Sequence, residues 1–209
     1  MIYSDTFVWL HFPKCAGTKI ERLFEHYYKN NPEIHQDLIG VKNNPTVSWH
    51  DTVHLREARD PEFQLGNRTV ICSFRRLPSW LESRYNYEYK RNPQLDHRPE
   101  LLLEGRFVEQ NGVENHADSY AMAYLTDELL VSGKLRFIRA ENFGDDFKSV
   151  FGDYLDVSMI PNSELNKKVN SSTSNLPLNV KQQLYDSQQS LYEMCPYWKK
   201  IEAIAYGVT

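Results

Sequence analysis

Lys14, Thr18 and Lys19 lie within one short stretch, Pro13-Lys14-Cys15-Ala16-Gly17-Thr18-Lys19, that also holds two small residues, Ala16 and Gly17. These residue types suit an anion. Small side chains let backbone N–H groups come close to it, lysines add full positive charge, and a threonine hydroxyl adds a donor. A second set follows at Arg75, Arg76 and Ser83, with Ser83 eight residues after Arg75, about two helical turns on. A guanidinium binds phosphate oxygens in pairs, and a hydroxyl two turns away supplies one more donor. The third set is His50, His54 and Glu57 in WHDTVHLREA. A histidine titrates near pH ~6.5 and is the usual acceptor for a proton leaving an attacking hydroxyl. His50 is the preferred base of the three, with His54 second and Glu57 as the carboxylate alternative.

Elements that would position these residues can be read from the pattern. Residues 7–12 (FVWLHF) form an apolar run closed by Pro13 and predict a buried strand. Residues 18–30 have helical spacing, with Ile20, Leu23, Phe24 and Tyr27 on one face. The first anion set therefore joins a strand to a helix N-terminus, whose dipole adds partial positive charge. Residues 46–49 predict a second strand ending at His50, and residues 51–58 a short helix. Thr69–Phe74 (TVICSF) is the clearest strand, β-branched and apolar throughout, and residues 79–91 read as a helix with Pro78 near its first turn. Beyond it come a polar excursion at 92–105, a helix at 113–130, a strand at 134–140 and a helix at Phe143–Phe151. A loop at 160–177 and a last helix at 179–205, kinked at Pro196, complete the pattern.

Strands alternating with helices predict a three-layer α/β/α arrangement with a mostly parallel central sheet, as one domain over residues 1–209. Such sheets bind ligands beyond the carboxyl ends of their strands. The loops after residues 12, 49 and 74 should meet there.

HFPKCAGT resembles the loop that binds the 5′-phosphosulfate in sulfotransferases dependent on PAPS (3′-phosphoadenosine 5′-phosphosulfate). SFRRLPSWLESRYNY is similar to that family's 3′-phosphate site, an Arg with a Ser eight residues later and a Tyr beyond, here Tyr85. FIRAENFGDDF and NKKVNSS resemble later family segments, the second being a loop that closes near the nucleotide. The resemblance implies a P-loop NTPase-like sulfotransferase fold and transfer of a sulfuryl group from PAPS to a hydroxyl or amine, releasing PAP. Carried over by position, Lys14, Cys15, Ala16, Gly17, Thr18 and Lys19 would hold the 5′-phosphosulfate, Lys14 also acting in catalysis. Arg75 and Ser83 would hold the 3′-phosphate, with Asn170 and Ser171 closing over the nucleotide. WHDTVHLREA resembles the segment that presents a histidine, here His50, to the acceptor in carbohydrate-type members. Two positions depart from the pattern. The family has Arg-x-Pro where Arg75 is followed by Arg76-Leu77-Pro78, so a register set by the proline would choose Arg76 and one set by the serine chooses Arg75. Lys19 stands where a Ser or Thr is usual.

The 209 residues carry a net charge of −4, with 25% charged and 41% hydrophobic residues. That balance fits a globular domain and argues against a broad nucleic-acid surface, which needs many clustered cations. Three widely spaced cysteines, Cys15, Cys72 and Cys195, give no zinc pattern and read as reduced thiols. The N-terminal stretch is unlike a signal peptide, and no apolar run approaches the ~20 residues of a membrane span. A cytoplasmic enzyme acting on a small-molecule or saccharide acceptor, without metal, is the resulting expectation. A P-loop kinase or NTPase, which would want GxxxxGK[ST] and a strand-end acid for Mg²⁺, is the alternative enzyme. A non-catalytic nucleotide-binding module is the other alternative.

Overall fold

The structure, a computed structural model, describes residues 1–37, 50–167 and 174–207. The strand expected at 46–49 and the predicted ligands Asn170 and Ser171 lie outside these residues. In chain order the first elements are β1 (Ile2–Tyr3), β2 (Phe7–Leu10), α1 (Gly17–Tyr27), β3 (His35–Gln36), α2 (Val53–Arg59) and β4 (Thr69–Phe74). Next come α3 (Leu77–Arg91), β5 (Arg106–Val108), β6 (Glu114–His116), α4 (Ala117–Tyr124), α5 (Asp127–Val131) and β7 (Leu135–Arg139). The chain closes with α6 (Phe143–Phe151), α7 (Asn162–Asn166), α8 (Leu178–Asp186), α9 (Gln188–Met194) and α10 (Pro196–Tyr206). The architecture is mixed α/β. Contacts group the chain into two compact units, Met1–Phe74 with Glu128–Val169, and Arg75–Asp127 with Asn170–Thr209.

The first unit is built on a five-stranded mixed sheet in the order β3-β1-β2-β4-β7. β2, β4 and β7 run parallel, with Trp9 opposite Ile71 and Cys72 opposite Phe137; β1 is antiparallel to both β2 and β3. Phe7 and Trp9 of β2, Ile71 of β4 and Ile138 of β7 share a core with Ile20, Leu23 and Phe24 of α1 and with Phe143, Phe147 and Phe151 of α6. Burying each such side chain stabilises the fold by roughly 1.5–3 kcal/mol. Val8, Leu10, Val70 and Cys72, pointing the other way, are buried as well, which is why β2 and β4 read as unbroken apolar runs. The three parallel strands end at one edge of the sheet. There Phe12 meets Phe74 edge-on with ring centroids 5.7 Å apart, and Phe74 meets Phe137 at 5.8 Å. At the end of β7, Asp146 of α6 accepts from the Arg139 N–H at 2.8 Å and from its guanidinium at 2.7 Å.

The second unit packs α3 through Trp80, whose ring lies 4.6 Å from Trp198 of α10 and 5.5 Å from Phe107 of β5. Arg84 of α3 pairs with Glu88 at 2.8 Å and Glu109 at 2.7 Å, so the cation buried there is compensated.

Where sequence expectation and structure differ, local chemistry gives the reason. The expected helix at 113–130 begins as β6, because Gly112 takes a left-handed turn and Val113 bonds back to Glu109. His116 then caps α4, its Nδ1 accepting the Asp118 N–H. The expected single helix at 179–205 is three. Ser187 ends α8, and Pro196, which lacks an N–H and disfavours a helical residue before it, makes a full break with Cys195 outside the helical conformation. The loop expected at 160–177 contains the short helix α7, and β1 and β3, two residues each, carried no readable period. Among the described residues no helix is long and apolar enough to cross a membrane.

Candidate functional site

The link from β2 to α1 is strained. Lys14 and Ala16, neither of them glycine, both adopt left-handed conformations, with φ of 66° and 67°. Such conformations cost about 1–3 kcal/mol each and persist only where the surroundings impose them. Their effect is to turn successive amides one way, as in an anion-binding nest. Ala16 is the N-cap of α1 and offers no side-chain acceptor, so this end of the helix is uncapped. Among the described residues the N–H groups of Ala16, Gly17 and Thr18 find no acceptor, and neither does the Thr18 hydroxyl. These amides stand at the N-terminus of α1, where the helix dipole is partly positive.

Lys14 is half-buried within the loop, and Cys15 is fully buried beneath it. Lys19 goes elsewhere. Its ammonium donates to the Leu165 carbonyl in α7 and lies 4.1 Å from the centre of the Phe143 ring, and burial lowers its pKa. Of Lys19, only the backbone remains with the loop, its N–H bonded to the Ala16 carbonyl.

Gly17 is held for space. A Cβ there would fall 1.9 Å from Nε2 of His11. The His11 imidazole is buried, stacks on Trp9 at 5.1 Å, and brings Nδ1 to 2.7 Å from the Glu21 carboxylate. The ring of His50, exposed at the surface, meets the His11 ring edge to face, with centroids 4.4 Å apart. The expected base therefore stands one ring away from the glycine of the β2–α1 link. His54 is exposed on α2, while Glu57 accepts the Leu65 N–H at 2.9 Å and so closes the turn after α2. His11 and Glu21 carried no spacing signal; a strand, a tight loop and one helical turn bring them together.

In the second unit the two arginines part company. Arg76 is exposed, its guanidinium 4.3 Å from the centre of the Tyr206 ring and 3.6 Å from Glu202. Glu202 also accepts the Leu77 N–H at 2.6 Å, neutralising the N-terminus of α3. Arg75 is half-buried, and among the described residues its guanidinium has no hydrogen bond or ion pair; only its carbonyl is used, by Trp198 Nε1 at 3.2 Å. The Ser83 hydroxyl likewise has no partner among the described residues. Beside Ser83, Glu82 holds Lys181 and Tyr185 at 2.7 Å each, and Asn86 accepts the Asn175 N–H at 2.7 Å. Burial raises the Glu82 carboxyl, but hydrogen bonds from Lys181, Tyr185 and Ser174 outweigh it and hold the pKa below the usual value. Ser174 and Asn175 are thus anchored on α3 beside Ser83. Tyr85, by contrast, is buried among the rings of Tyr89 and His97.

No protein-family model matches this chain, and no curated protein or solved structure does either.

Proposed function

We propose that the protein is a PAPS-dependent sulfotransferase with a P-loop-like sulfotransferase fold, acting on a hydroxyl or amine acceptor. The observation that carries this reading is that the amides of Ala16, Gly17 and Thr18 have no acceptor among the described residues, in a loop where Lys14 and Ala16 are held left-handed. A tetrahedral anion such as the 5′-phosphosulfate satisfies those donors and gains from the dipole of α1. The half-buried Arg75 guanidinium and the Ser83 hydroxyl, neither with a partner among the described residues, support a separate phosphate, the 3′-phosphate of the donor. Asn170 and Ser171 are the proposed closing ligands of the same nucleotide.

In the proposed step the acceptor oxygen or nitrogen attacks sulfur in line. The bond between sulfur and the oxygen bridging it to phosphorus breaks, and PAP leaves with that electron pair. Lys14 neutralises the charge growing on the bridging oxygen. His50 takes the acceptor proton. The three buried, free thiols at Cys15, Cys72 and Cys195 agree with the reducing cytoplasm as its location.

The test is turnover of PAPS with a panel of saccharide, phenol and amine acceptors, following PAP release. Acceptor-dependent release supports the proposal. Tight PAP binding with no turnover on any acceptor makes the chain a nucleotide-binding module, and failure to bind PAP at all sinks the reading.

A further inference from the structure

Two buried groups beside the loop, His11 and Glu21, have no part in the proposed step. Each side chain is more than nine-tenths buried, and Nδ1 of one lies 2.7 Å from the carboxylate of the other. The two groups are in close polar contact, without hydrogen-bond geometry, on the side of the ring away from Gly17. This fixes the orientation of the ring and leaves Nε2 facing Gly17, where it fills the space of the missing Cβ. Trp9 supports one face of the imidazole and is itself tied to Ser73, its Nε1 donating at 3.1 Å. The ring is therefore held on three sides, by Trp9, Glu21 and Gly17, and on the remaining side it meets His50.

His50 is exposed, and its ring is seated edge to face against the buried His11 ring. We propose that His11, oriented by Glu21, is a positioning residue for His50, setting the plane of its ring against the anion loop. Its kinetic consequences rest on the sulfuryl-transfer reading; the coupling from Glu21 through His11 to His50 does not. The same contact explains why the loop needs glycine at position 17 although the backbone there is ordinary: any larger residue would push His11 out of register with both partners.

Two measurements on the full chain test this. In imidazole ¹⁵N spectra, Glu21→Gln should shift the His50 resonances, and the shift should vanish when the same change is made in His11→Phe, which keeps an aromatic ring on Trp9. No shift, or a shift that survives in His11→Phe, overturns the proposal, because the effect would then be absent or carried through space. In turnover assays, His11→Asn should lower kcat by up to ~10²-fold, the scale of an ångström of misplacement, with PAP affinity nearly unchanged. It should cost nothing further in a His50→Ala background. Equal losses in both backgrounds would also overturn the proposal, since His11 would then act independently of His50. A wild-type chain that turns over no acceptor, yet transmits the Glu21 shift to His50 through His11, supports the positioning role and removes the sulfuryl-transfer reading instead.

Discussion

Gly17 and Arg75 make opposite demands on their surroundings, one for empty space and the other for a partner. Gly17 lies outside the left-handed region, so alanine there would meet no backbone penalty if nothing stood in the way. His11 does stand in the way, with Nε2 1.9 Å from the new methyl. Gly17→Ala is therefore expected to destabilise by ~1–3 kcal/mol, the usual cost of overpacking, and His11→Ser should relieve most of it. Urea denaturation of both single variants and the double variant checks this, and strict additivity would show that the two residues do not share that space. At Arg75 the expectation concerns ligand. Arg76 is already engaged by Glu202 and the Tyr206 ring, whereas the Arg75 guanidinium has no partner among the described residues. Arg75→Ala should thus weaken PAP binding by ~1.5–3 kcal/mol, roughly ten- to a hundredfold or more, and Arg76→Ala far less. Calorimetry giving the reverse order would move the 3′-phosphate to Arg76.

Among the elements, β7 and α6 are joined by one strong local device. Burial raises the Asp146 carboxyl, but hydrogen bonds from the Arg139 side chain and N–H and from Asn142 more than reverse this and hold its pKa below the ordinary value. A depressed carboxylate contributes stability that is present above its unfolded pKa of ~3.9 and is lost as pH falls through the folded value. Asp146→Asn should therefore destabilise by ~1–3 kcal/mol at pH 7, with the gap to wild type closing below about pH 4. Denaturant midpoints at pH 7, 5 and 3 read this directly, and a gap independent of pH would mean that the carboxylate's charge contributes nothing. The strained link between β2 and α1 behaves differently. If it binds the proposed anion, ligand should slow amide exchange at residues 14–18.

For the whole molecule, the proposal is a statement about which nucleotides bind. PAP should bind at least tenfold more tightly than AMP, since AMP lacks the group proposed for Arg75 and Ser83. At a hundred times its dissociation constant, PAP should stabilise the chain by about 2.7 kcal/mol. Equal affinities for PAP and AMP would remove the 3′-phosphate site. Turnover should also survive EDTA, because Lys14 and the N-terminus of α1 are proposed to supply the positive field. Activity abolished by EDTA and restored by Mg²⁺ would favour a kinase-like reaction.

The sequence by itself determined the elements whose period or composition is self-contained. Thr69–Phe74 is buried on both faces and Phe143–Phe151 has a strong apolar stripe, and both appear with the bounds the pattern predicted. Residue types likewise singled out residues 13–19 and the Arg75–Ser83 spacing as candidates. Tertiary structure alone decided the rest. Two-residue strands such as β1 and β3 have no period and exist only because β2 offers them an edge. A left-handed Lys14 or Ala16 contradicts the local preference of both residue types, so only the closure of strand onto helix imposes it. The same closure turned the Lys19 ammonium to Leu165 and brought His11, Glu21 and His50 together across 39 positions of chain, while packing within the second unit engaged Arg76 with Glu202 and left the Arg75 guanidinium without a partner among the described residues. Contacts between residues so far apart depend on how the elements pack, which no local window of sequence contains.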